Sequence, residues 1–74
     1  MIYKTGMKVK ATSGGIQDLA ETEDLNLAEV DIPAGTEGIV RNVAPGYEST
    51  GPLVYVDFPG ANNVECLEPW IEPA

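Results

Sequence analysis

Apolar and polar positions alternate most regularly over residues 7–12. Met7, Val9 and Ala11 fall on one side of an extended chain, and Lys8, Lys10 and Thr12 on the other. A period of two marks a half-buried strand. Gly6 before it, and Ser13, Gly14 and Gly15 after it, punctuate that strand. A second strand is predicted over residues 36–43 from the β-branched content of Thr36, Ile39, Val40 and Val43. Gly38 inside it predicts a bulge or the close approach of another backbone. The adjacent apolar pair Ile39 and Val40 points to a bulge or bend at the same place. The clearest strand covers residues 53–58, with Val54, Val56 and Phe58 on its core face and Pro52, Pro59 and Gly60 as its bounds.

The remaining segments are weaker. Residues 44–52 read as a loop with Tyr47 in its middle. Residues 61–63 continue the turn that Pro59 and Gly60 begin, and a short strand covers residues 64–67. Residues 68–73 read as a tail strand or 3₁₀ turn, with Trp70 capping one end of the core. Residues 16–32 fit two patterns. Ile16, Leu19, Ala20 and Glu23 make a weak helical face, whereas Leu25, Leu27 and Glu29 alternate with Asn26, Ala28 and Val30. The expectation is a long, partly ordered excursion with a helical turn near residues 17–19. Loops of this length inside small domains are often functional.

Eight glycines and six prolines sit between the apolar runs, a placement that favours many short strands. The 74 residues make one domain, 1–74. A chain of this size buries only roughly 60% of its unfolded surface. The expected fold is all-β: a small barrel of about five short strands with a long first loop, curled so that its edges are hidden.

This pattern resembles a known family. Met7, Lys8, Val9, Lys10 and Ala11 come first, and a long loop follows. Pro33, Ala34, Gly35, Thr36, Glu37, Gly38, Ile39 and Val40 then form a turn and strand, and residues 53–58 and 64–67 close the chain. The order is similar to that of SH3-like small barrels in bacterial and plastid accessory subunits. Examples are the variable chain of ferredoxin–thioredoxin reductase and the β subunit of nitrile hydratase. The resemblance implies an SH3-like barrel serving as an accessory subunit. It does not extend to signalling SH3 domains, which line a proline-peptide groove with several aromatics. Here Tyr3, Tyr47, Tyr55, Phe58 and Trp70 are scattered.

Charge narrows the partner. Four basic residues stand against twelve acidic ones, a formal net charge of -8. Phosphate binding rests on Lys and Arg, so direct contact with nucleic acid or an anionic membrane surface is not expected. Asp18, Glu21, Glu23, Asp24, Glu29 and Asp31 supply half of the acidic residues within one base-free stretch. They suit a protein partner with a basic surface, and Tyr47 adds an exposed aromatic anchor. The stretch lacks the ligand spacing and central glycine of an EF-hand loop.

The chemistry-bearing residues are few. There is no histidine, so neither Cys66 nor Ser13 and Ser49 has an activating base of that kind. One cysteine and no histidine leave no structural zinc set. Gly14 and Gly15 lack the Lys-Ser/Thr of a phosphate loop. No cofactor and no catalytic residue is expected. The lone cysteine, the missing apolar leader and the missing membrane-length apolar run lead to a cytoplasmic expectation. The expected function is non-catalytic protein binding as an accessory or regulatory subunit. The alternative is an acidic mimic of duplex DNA that inhibits a nucleic-acid-binding complex, of mobile-element or phage type.

Overall fold

The computed structural model describes residues 3–12, 14–22 and 27–74. The alternating segment at the start forms β1 (Lys8–Ala11), with Val9 and Ala11 buried and Lys8 exposed. Then follow β2 (Ile16–Glu21), β3 (Leu27–Ile32) and β4 (Glu37–Tyr47). The clearest strand of the sequence becomes β5 (Gly51–Phe58), and β6 (Ala61–Leu67) returns beside it. A 3₁₀ turn at Glu68–Trp70 leads into the short β7 (Ile71–Pro73). The fold is all-β and barrel-like. Its strand order is β3-β2-β6-β5-β4-β1-β7, and every neighbouring pair is antiparallel.

The curl comes from irregular pairing. Register shifts fall between Val40 and Asn42, between Ala44 and Tyr47, and between Val56 and Phe58. Each adds local twist and bend to its strand. The curled sheet wraps one core. Val9, Val40, Val54, Val56 and Val64 are almost fully buried there, and Ile16 and Ile32 of the β2–β3 hairpin join the same cluster. Among the described residues no pairing joins β3 to β7, so the sheet keeps two edges.

Three expectations are corrected. Residues 16–21 and 27–32 are not a loose excursion with a helical turn; they are the antiparallel strands β2 and β3, and the described residues form seven strands rather than about five. The pairing Ile16↔Ile32, Asp18↔Val30 and Ala20↔Ala28 sets the inward row. An aspartate and two alanines dilute that row, so its period of two is faint in sequence. The loop at residues 44–52 shrinks to residues 48–50, because β4 and β5 extend toward each other across it. Pro45 removes one ladder donor, and the register shift between Ala44 and Tyr47 absorbs it. Trp70 does not cap the core. It is 37% exposed, and the neighbouring Ile71 is the buried residue.

Gly38 shows the predicted close approach. A Cβ built there would lie 2.8 Å from the Asp57 carbonyl oxygen. The bulge itself falls one turn of the pleat later, at Arg41, so Ile39 points outward and Val40 inward in plain alternation.

Tyr3 ties the N-terminal segment to the last strand. Its phenol donates to the Ile71 carbonyl at 3.1 Å. Burial pushes the phenol above its ordinary value, and Glu68 and Glu72 add to the shift. A folded-state value above the unfolded one means that the folded chain holds the proton longer. Stability from this group is therefore complete below the ordinary tyrosine range and is lost as pH rises through it. The expected result is a steeper loss of stability above about pH 10 in the native chain than in Tyr3→Phe, read by urea melts at several pH values. Equal slopes in the two chains would remove Tyr3 as the cause.

Candidate functional site

Pairing decides which way each residue of the hairpin faces. Ile16, Ala20 and Ile32 turn inward and are buried. The intervening residues Gln17, Leu19, Leu27, Glu29 and Asp31 turn outward and are exposed. Leu19 is 62% and Leu27 76% exposed. Leu19 pairs with Glu29 and Glu21 with Leu27, so the two leucines are diagonal neighbours on the outer face. Gln17 stands opposite Asp31. The result is a two-leucine apolar spot beside a carboxylate row, on a hairpin whose other face is anchored in the core.

The acidic residues singled out in sequence do not all share this face. Glu29 and Asp31 lie on it. Asp18 lies on the inward row and is half-buried, with its Oδ1 accepting the Leu19 backbone N–H at 2.8 Å. Glu21 ends β2, where its backbone pairs with Leu27 and with Asn62 of β6. Glu23 and Asp24 lie outside the described residues. Tyr47 is 74% exposed at the β4–β5 turn. Its backbone N–H donates to Thr50 Oγ1 at 3.0 Å, and Tyr47 O accepts the Thr50 N–H at 3.1 Å. These bonds hold the tight turn that presents the ring.

Sequence reasoning missed the exposed leucines. The signal was present in residues 28–32: Ala28, Val30 and Ile32 can share one face only if Leu27 and Glu29 share the other.

The four cations lie elsewhere, and three of them are engaged. Lys8 pairs with Glu37 at 3.8 Å, Lys10 with Glu72 at 3.8 Å and Arg41 with Asp57 at 3.5 Å. These are contacts between strands of the main sheet, not with the acidic hairpin. They are solvent-exposed, so each is worth about 0–1 kcal/mol. Their effect is to neutralise one part of the surface and leave the hairpin negative.

A second concave feature lies on that neutralised part. An open cleft of about 320 Å³ is lined by Lys8, Glu37, Gly38, Ile39, Asp57, Phe58 and Pro59. Its walls are mainly apolar, and ion pairs of both signs sit at its rim. On the hairpin, a cleft of about 290 Å³ runs beside Gln17, Glu29, Val30 and Asp31.

Reactive chemistry is sparse. Cys66 is fully buried, and burial pushes its thiol up to about 12, with Asp18 and Glu65 adding to the shift. Its Sγ donates to the Val64 carbonyl at 3.5 Å. A thiol this far above neutrality is a poor nucleophile. We expect Cys66 in the folded chain to resist alkylation by iodoacetamide at pH 8 and to react once urea unfolds it. Fast labelling under native conditions would contradict the burial. On the opposite surface Tyr55 donates its phenolic hydrogen to Glu65 Oε2 at 3.1 Å across the β5–β6 pair. Among the described residues no three His, Cys, Asp or Glu side chains converge as a metal set. No helix there is long and apolar enough to cross a membrane.

No protein-family model, no curated protein and no solved structure matches this chain.

Proposed function

We propose that this chain is a non-catalytic protein-binding domain, an accessory or regulatory subunit that meets its partner through the outer face of the β2–β3 hairpin. One observation carries the reading: Leu19 and Leu27 are exposed side by side next to Glu29 and Asp31, on a hairpin with no basic residue. Two leucines in water gain about 1.5–3 kcal/mol each when fully covered. Carboxylates around an apolar spot choose a basic rim on the partner and speed its approach. The resemblance of the sequence to SH3-like accessory-subunit barrels implies the same role. Tyr47 is a further contact if the partner reaches around to the β4–β5 turn.

The DNA-mimic reading draws on the same base-free carboxylates. The leucines break the carboxylate row, and this favours a protein-contact surface over a phosphate-like one.

The test is capture from a lysate with three immobilised chains, at low and high salt, with bound proteins identified by mass. The chains are the native one, Leu19→Ser/Leu27→Ser and Glu29→Lys/Asp31→Lys. The expected outcome is one partner held by the native chain through high salt and lost from both variants. The same proteins on all three chains would refute the hairpin as the contact. Release of a nucleic-acid-binding complex by added DNA would instead establish the mimic.

A further inference from the structure

β3 is an edge strand. β2 pairs with one side of it, and among the described residues no strand pairs with the other. In an antiparallel pair alternate residues turn both N–H and C=O away from the partner strand. Half of the β3 backbone groups therefore face outward. An open edge is a template for another strand, and proteins usually blunt it with proline, charged side chains, a bulge or a short length. The opposite edge is blunted: β7 has three residues and contains Pro73. β3 has six residues with no proline and no register shift, and its two charges, Glu29 and Asp31, are both acidic, so they close the edge to acidic strands and leave it open to basic ones.

We infer that β3 accepts an extended segment of a protein partner as an added strand, one that alternates basic and apolar residues. The inference rests on the protein-binding reading above and specifies its partner. The edge itself is the site, and charge selects the occupant. A strand laid beside β3 places alternate side chains on the outer face, next to Glu29 and Asp31. Directly opposed side chains on adjacent strands lie within about 4.5–5.5 Å, so Lys or Arg at those positions meets a carboxylate. The other side chains of the added strand fall on the inner side, beside Ala28 and Val30. Both are only half-buried, and Val30 lines the cleft along this edge. An apolar side chain there covers them and extends the core by one strand. A second copy of this chain is a poor occupant. Its own β3 would bring Glu29 and Asp31 against the same residues, and like charges directly opposite are destabilising.

The test uses the full chain, isotope-labelled, and a short synthetic peptide alternating lysine with valine. A second peptide of the same sequence carries backbone N-methyl groups on alternate residues. Methylation keeps charge and side chains but blocks pairing along one edge. The expected result is backbone shift changes concentrated on residues 27–32. The affinity should fall at least about tenfold on methylation, the loss of roughly one to two net hydrogen bonds. It should fall similarly in Glu29→Lys/Asp31→Lys. Equal binding of the methylated peptide would overturn strand addition and leave the hairpin as a charged contact face. Shift changes on other strands, or no binding of either peptide, would also overturn it. In that event the lysate comparison decides the protein-binding reading separately.

Discussion

Gly38→Ala is expected to lower the stability of this domain by about 3 kcal/mol, the upper end of the usual cost of overpacking. Gly38 is buried in β4 and pairs with Val9. A Cβ there would lie 2.8 Å from three atoms: Asp57 O, Phe58 Cδ1 and Val56 Cγ1. The two side-chain atoms can yield a little. The carbonyl of Asp57 cannot, because it belongs to the backbone of β5, the partner strand of β4. Relief therefore requires β4 and β5 to separate where they cross over the core. A domain of 74 residues has about 4–11 kcal/mol in total at typical per-residue values, so the loss is a large fraction. The measurement is a urea melt. With a slope of about 1 kcal/mol/M, the midpoint should fall by about 3 M, or the variant should be unfolded from the outset. Adding Phe58→Leu to Gly38→Ala should restore little, since the carbonyl overlap remains. A midpoint within about 0.5 M of the native value would show that the strands have room for a methyl group.

Phe58→Ala is expected to cost about 3–5 kcal/mol and to leave little folded protein at 37 °C. Phe58 is the chain's single phenylalanine and is 3% exposed. It stands at the last inward position of β5, where it closes the core beneath Gly38 and forms one wall of the apolar cleft with Ile39 and Pro59. The neighbouring core residues are mostly valine and alanine. None has the reach to fill the space that the ring vacates. The β5–β6 turn limits collapse as well: Pro59 has a fixed φ, and Gly60 holds φ +82. Loss of amide dispersion in the NMR spectrum would report the unfolding. Phe58→Leu keeps most of the volume and should cost less than about 1.5 kcal/mol. This second variant separates a size effect from a failure to fold. Native stability in Phe58→Ala would mean that the ring is not part of the core.

The strands that form most of the core were legible wherever alternation was strong. Met7, Val9 and Ala11 were read as one face, and Val9 and Ala11 are buried. Val54, Val56 and Phe58 were read as another, and all three are buried. Gly38 signals a bulge or a close approach because glycine inside a strand gives up packing and β propensity for space, and the structure holds the close approach there and the bulge at Arg41. The acidic stretch was legible as charge but not as a surface. Asp18 and Glu29 belong to the same base-free stretch, yet they face opposite sides of one hairpin. Tyr47 was placed in a loop by its neighbours Pro45, Gly46 and Gly51, and it is exposed at the end of a strand.

By itself the sequence determined an all-β domain, the main core faces and a strong negative charge. Those follow from local rules: period-two alternation, turn residues and the count of ionisable groups. The pairing of residues 16–21 with residues 27–32 was decided only by tertiary structure. Its inward row of Ile16, Asp18, Ala20, Ala28, Val30 and Ile32 is diluted by an aspartate and two alanines, so the alternation over residues 27–30 competes in the sequence with a helical face. Pairing and the shared core supply the missing stabilisation. Once Ile16 and Ile32 are drawn into that core, the period of two forces Leu19 and Leu27 to the outside. The exposed leucines, the carboxylates beside them and the open edge of β3 are therefore consequences of burial elsewhere in the chain.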